Sequence, residues 1–145
     1  MQPELAVEIA GLSLRNPTML SAGILGLTGA TLANAWDAGA GAVVSKSLGL
    51  KPREGYLNPT VVDVGCGLLN AMGLPNPGAE EFASEVEAAR RAREDMVIVA
   101  SIFGGPPKEF AKVAEVMEEA GVNGIELNVS CPHVKAVGME VEHDT

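Results

Sequence analysis

Cys131 closes the run Glu126-Leu-Asn-Val-Ser-Cys131, where an apolar segment gives way to Pro132 and a change of chain direction. A thiol just past the C-terminal tip of a buried strand stands where α/β proteins keep their chemistry. As a thiolate it is a base or a nucleophile. Asn128 and Ser130 bring hydrogen-bonding side chains to the same tip, and Lys46, set between Ser45 and Ser47, ends another apolar run. A lysine there is either a snorkelling surface side chain or the partner of an anionic or electron-rich ligand, and its two serine neighbours favour the ligand. Cys131 also has a plainer reading as a buried structural thiol, against which the polar strand tip weighs. Cys66, the other cysteine, is expected to be a packed thiol.

Four apolar runs must position these groups: residues 18–21, 41–45, 96–101 and 124–128. None alternates polar with apolar, so each is expected to be covered on both faces, as in a parallel sheet. Helical patterns separate them. Leu32, Ala35, Trp36 and Gly39 share one face of a first helix, and residues 80–93 form a second, with Phe82, Val86 and Ala89 inward and Glu87 one turn from Arg91. Residues 107–120 form a third, opened by Pro107, ended by Gly121 and striped by Phe110, Val113, Ala114 and Met117. Residues 6–9 and 12–14 form an N-terminal β-hairpin turned at Gly11.

Ser21, Lys46, Ser101 and Asn128 are the polar residues at or just past the strand tips, at separations of 25, 55 and 27 residues. Two intervals fit one βα unit each. The middle one holds about thirty extra residues, from Leu48 to Asn76, an insertion long enough to be a functional loop. The fold class expected is α/β: the first four or so units of a (β/α)8 TIM barrel, right-handed and parallel, since a full barrel needs about 250 residues. The 145 residues thus read as one N-terminal half-barrel, residues 1–145, and a probable fragment. A finished flavodoxin-like fold is the alternative.

Composition narrows the function. Hydrophobic residues make up 47% of the chain but aromatic ones only 3%, so the core is aliphatic. A net charge of −9 argues against nucleic-acid binding, which needs clustered Lys and Arg. Two distant cysteines make no disulfide framework, and neither a secretory signal nor a membrane-spanning run is visible, so a soluble cytoplasmic protein is expected. Glycines 23, 26 and 29 invite a dinucleotide-binding reading, but their spacing is wrong and Lys46 stands where an acidic ribose ligand belongs.

Four segments carry a resemblance. Asn16-Pro-Thr-Met-Leu-Ser-Ala-Gly23 is similar to the first barrel strand of class 1 dihydroorotate dehydrogenases. Val44-Ser-Lys-Ser47 with Pro52-Arg-Glu-Gly55 resembles that family's second strand and loop. Leu69-Asn-Ala-Met-Gly-Leu-Pro-Asn-Pro-Gly78 and Glu126-Leu-Asn-Val-Ser-Cys-Pro132 resemble its substrate loop and catalytic loop. The four stand in family order and cover most of the chain.

The resemblance implies FMN-dependent oxidation of (S)-dihydroorotate to orotate in pyrimidine biosynthesis. It makes Cys131 the base that takes a proton from C5 while C6 passes hydride to the flavin. By the same likeness Ser21, Ala22, Gly23, Lys46, Ser47, Ser101 and Asn128 contact FMN. Lys46, Asn70, Ala71, Met72, Gly73, Leu74, Asn128 and His133 contact the substrate. The chain departs from the family at Ala22, often Ser, at Ser101, more often Asn in the NAD-linked form, and at His133, usually Asn. A metal pair at Cys131 and His133 lacks further ligands. The implied partners are a second copy in a homodimer, or an electron-transfer subunit with FAD and an iron–sulfur cluster in a heterotetramer. The wording around Pro52 and Asn70 leans to the NAD-linked form. A dihydropyrimidine dehydrogenase-like flavin barrel is the nearest enzymatic alternative, and a non-catalytic assembly module the third.

Overall fold

The structure, a computed structural model, describes residues 5–131. Its centre is a four-stranded parallel sheet. The strands are β3 (Met19–Leu20), β4 (Ala42–Val44), β7 (Ile98–Ile102) and β8 (Gly124–Leu127), in the spatial order β3-β4-β7-β8. Parallel registers pair Val43 with Ile98 and Ser101 with Glu126. Because all four run the same way, their C-terminal tips lie along one edge. The helices α1 (Gly29–Asp37), α2 (Ala79–Ala92) and α3 (Pro107–Glu119) follow β3, β4 and β7 in turn. An antiparallel hairpin of β1 (Val7–Ile9) and β2 (Leu12–Leu14) precedes the sheet, as expected.

Local chemistry starts and stops the helices where the patterns place them. Thr28 and Thr31 cap the start of α1 reciprocally, each side chain accepting from the other's backbone N–H at 3.2 Å. A carboxylate reaches the same end from α2, where Glu85 accepts from the N–H of Gly29 at 2.7 Å. Helix α2 carries Glu80 and Glu81 in its first turn and Arg90 and Arg91 in its last, both favourable to the helix dipole. Pro107 opens α3, and Gly121, at φ +86°, follows its end. Glu87 and Arg91 do pair, at 3.5 Å and largely in solvent.

Leu32, Trp36, Val43, Phe82, Val86, Met96, Ile98, Ile102, Val113 and Met117 form one core between helices and sheet. Complete burial of a side chain such as Phe82 contributes about 2–3 kcal/mol. The expectation of two covered faces holds for β4 and β7, every residue of which is buried. It fails for β3 and β8, where Met19, Ile125 and Leu127 are exposed because these strands are the outer two of the sheet.

The long insertion after β4 contains a second hairpin, β5 (Val61–Asp63) with β6 (Leu68–Asn70), all of it exposed. Cys66 lies in its turn, between Gly65 and Gly67, and is exposed. The expected packed thiol is thus corrected: a hairpin that projects from the body gives its turn nothing to pack against. Glycines 26 and 29, which had invited the dinucleotide reading, serve close packing. A Cβ on Gly26 would lie 2.5 Å from the Val44 carbonyl oxygen, and one on Gly29 would lie 2.5 Å from that of Glu85. No helix among the described residues is long and apolar enough to cross a membrane.

Candidate active site

Three strand tips are tied together by a short polar chain. Past β4, Ser45, Lys46 and Ser47 are all buried. The Ser47 hydroxyl lies 3.0 Å from that of Ser101 in β7, and Asn128, just past β8, donates from Nδ2 to Ser47 Oγ at 3.0 Å. Ser45 Oγ accepts from the Ser101 N–H at 3.0 Å and donates to the Lys46 carbonyl. Backbone bonds hold the same edge: Lys46 N–H to Gly26 O at 2.9 Å, Leu48 N–H to Ser101 O at 2.9 Å, and Asn128 N–H to Ile102 O at 2.8 Å. The bond to Asn128 uses one N–H of its amide, so the other N–H and the carbonyl oxygen remain for a ligand.

Lys46 is 8% exposed, and among the described residues its ammonium has neither a hydrogen-bond acceptor nor a carboxylate partner. Burial pushes its pKa below the usual lysine value, and the nearby Cys131 pulls it partly back up. The thiol and the ammonium therefore share one electrostatic neighbourhood on one edge of the sheet. Cys131 itself is half-buried and packs against Leu74 and Phe103. Through Leu74 the long insertion reaches the thiol.

The structure thus brings together Lys46, Ser47, Ser101, Asn128, Cys131 and Leu74. Ser21, Ala22 and Gly23 follow β3 on the same edge, with Gly23 in extended backbone and a Cβ there meeting only the Ser21 carbonyl oxygen, at 3.9 Å. Ser101 was expected at or beyond a strand tip; it is the fourth of five residues in β7 and fully buried, because the strand runs on to Ile102. Asn70 and Ala71 are exposed at the end of β6, and no bond joins their side chains to the strand-tip network. Met72 and Gly73 lie between them and Leu74, and Met72 accepts from the Tyr56 N–H at 3.0 Å. His133 lies outside the described residues. A groove of about 230 Å³ lined by Gly49, Arg53, Phe103 and Glu109 opens beside the network and includes neither Lys46 nor Cys131.

Sequence reasoning missed Phe103, Arg53 and Asn76. Arg53 donates from Nε to the Gly73 carbonyl at 2.7 Å. Asn76 is buried; its Oδ1 accepts from the Gly78 N–H at 2.9 Å and the Gly49 N–H at 3.2 Å, and its Nδ2 donates to the Leu74 carbonyl at 2.9 Å. Leu74 is held at φ +54°, a left-handed conformation that costs a residue with a Cβ about 1 kcal/mol. The Pro and Gly beside Asn76 signal only a turn, so nothing in the sequence marks this strain.

A model of the dihydroorotate dehydrogenase family matches residues 4–145. The catalytic subunit of dihydroorotate dehydrogenase B (NAD(+)) from Pyrococcus furiosus is 49% identical over 138 residues, which are 95% of this chain and 45% of the relative. The subunit of the same name from Methanosarcina mazei is 51% identical over 92% of this chain and 42% of its own length. The chain thus spans less than half the length of these relatives. Among solved structures, the DHODH of Eimeria tenella in complex with ferulenol superposes with a TM-score of 0.79 at 20% identity, over 92% of this chain and 38% of that one. That likeness shows the fold: the parallel sheet and its helices are part of the same α/β barrel. By the family match, the chain belongs to the dihydroorotate dehydrogenase family.

Proposed function

We propose that this chain is the N-terminal half of an FMN-binding barrel that oxidises (S)-dihydroorotate to orotate in pyrimidine biosynthesis. The observation that carries this reading is the Lys46 side chain, 8% exposed and partly desolvated beside the Cys131 thiol, without an anionic partner among the described residues. Burying an unpaired cation is costly, and a ligand carrying negative charge offsets that cost. Dihydroorotate has a carboxylate, and FMN gains charge on reduction. The hydroxyls of Ser47 and Ser101, the free side of the Asn128 amide and the uncrowded backbone at Gly23 suit a flat ring rich in donors and acceptors.

In this reading Cys131 Sγ accepts the proton from C5 of dihydroorotate as the C5–C6 double bond forms. FMN, when bound, supplies the acceptor for the hydride that leaves C6. Lys46 holds position between the two ligands and offsets negative charge there. Asn128 bridges flavin and substrate, with Ser21, Ala22, Ser47 and Ser101 on the flavin side. The segment from Asn70 through Ala71, Met72 and Gly73 to Leu74 holds the substrate, and His133 stands in for the family's Asn. The names of the relatives, a catalytic subunit of an NAD(+) enzyme, support a heterotetramer with a subunit carrying FAD and an iron–sulfur cluster, built around a homodimer of the barrel. A cytoplasmic location accords with such an assembly.

The test is anaerobic mixing of the flavin-loaded, full-length protein with dihydroorotate and, separately, with dihydrouracil. Bleaching of the flavin by dihydroorotate alone is expected. Bleaching by dihydrouracil alone would reject this reading for a dihydropyrimidine dehydrogenase-like one.

A further inference from the structure

The segment that reaches Cys131 is strained. Gly73 lies at φ +76° and Leu74 at φ +54°, two consecutive residues in left-handed backbone. A Cβ on Gly73 would come within 2.9 Å of the Tyr56 ring, so Gly73 is close-packed as well as twisted. Leu74 has no such freedom as glycine, and its buried side chain must be delivered to Phe103 and Cys131 by this turn.

Each of these two left-handed residues is held through its carbonyl by one side chain. Arg53 Nε binds the Gly73 carbonyl and Asn76 Nδ2 binds the Leu74 carbonyl, at 2.7 and 2.9 Å. Both holders are themselves anchored. Arg53 and Asn76 exchange two backbone bonds, at 2.8 and 2.9 Å, and Asn76 Oδ1 accepts from Gly49, three residues past Lys46. Among the described residues, the N–H groups of Gly73 and Leu74 have no acceptor. The carbonyls are pinned back into the protein while the amides stay unengaged, an arrangement that suits an anionic group of a ligand.

We propose that Asn76 and Arg53 are positioning residues: they hold Gly73 and Leu74 in left-handed backbone so that this turn presents its amides, and Leu74, to the cleft at Cys131. The assignment of a substrate to that cleft rests on the function proposed above; the restraint of the turn does not.

Asn76→Asp separates the restraint from general folding, because a carboxylate keeps both acceptor bonds, to Gly49 and Gly78, and loses the donor to Leu74. Arg53→Ala releases the Gly73 carbonyl by a different route, should the first variant fold poorly. In the full-length protein, exchange of the hydrogen-bonded amides that bracket the turn, those of Tyr56, Ala71 and Asn76, should quicken in either variant while that of β4 and β7 stays unchanged. KM for dihydroorotate should rise about tenfold with kcat within about threefold. Unchanged exchange at Tyr56, Ala71 and Asn76, or exchange quickened equally in β4 and β7, would overturn the proposal. If the wild-type protein itself shows no reduction by dihydroorotate, the proposed function falls, and the exchange measurement alone decides the restraint.

Discussion

Arginines where the strands of the parallel sheet begin and Lys46 where β4 ends are treated in opposite ways. At the end where the strands begin, three guanidiniums are committed to the protein. Arg15 lies 3.8 Å over the Trp36 ring and donates to the carbonyls of Ala40 and Trp36. Arg90 reaches from α2 to the carbonyls of Met96 and Gly121 and to Asn123, closing the approaches to β7 and β8. Arg93 grips Asp37 with two bonds of 2.7 Å and joins the ends of α1 and α2. At the other end Lys46 is buried with no carbonyl or carboxylate to receive it among the described residues. One end closes on itself and contributes to stability; at the other, a charge stays without a partner among the described residues.

Substitutions at the two ends should therefore separate activity from stability. Lys46→Met is expected to lower the rate of flavin reduction by dihydroorotate about a hundredfold. The melting temperature should stay level or rise, since the apolar side chain relieves a buried charge. The pH dependence follows the same logic. Burial lowers the Lys46 pKa, so its penalty is present below that lowered value and fades as pH rises through it toward the ordinary 10.5. Wild-type stability should gain from this group on the alkaline side, and the methionine variant should lose that gain in denaturant titrations. A variant that melts much earlier than wild type would make Lys46 a structural residue like the arginines.

Arg90→Met is the smaller and opposite case. Loss of its bonds across two loops should cost about 2 kcal/mol in denaturant titration, with the rate of flavin reduction per folded molecule unchanged. A fall in that rate at full folding would mean that the two ends are not independent.

How much of this was legible in the sequence depends on how local each feature is. The helices and the four parallel strands were readable because periodicity and end signals are local: Pro107 and Gly121 mark the third helix without help from afar. The tip residues Lys46, Asn128 and Cys131 were readable because a polar group ending an apolar run betrays its place in the fold. The β5–β6 hairpin was not, since its strands are three residues long and carry Val61, Val62, Leu68 and Leu69 without alternation, so no buried face announces itself. Its exposure also explains the error over Cys66. Ser101 was misplaced by one position relative to the strand end, where pairing with β8, not side-chain pattern, decides the boundary. The left-handed Leu74 was beyond local reading altogether, because its restraints come from Arg53 and Asn76 through tertiary contacts.

The central claim is that Cys131 faces the substrate as its base, beside Lys46. The most direct measurement is anaerobic stopped-flow reduction of bound flavin by dihydroorotate in the full-length Cys131→Ala protein, with flavin content determined in the same sample. A loss of about 10²–10⁴-fold with flavin retained is the predicted result. A loss of less than about tenfold at full flavin content would contradict it.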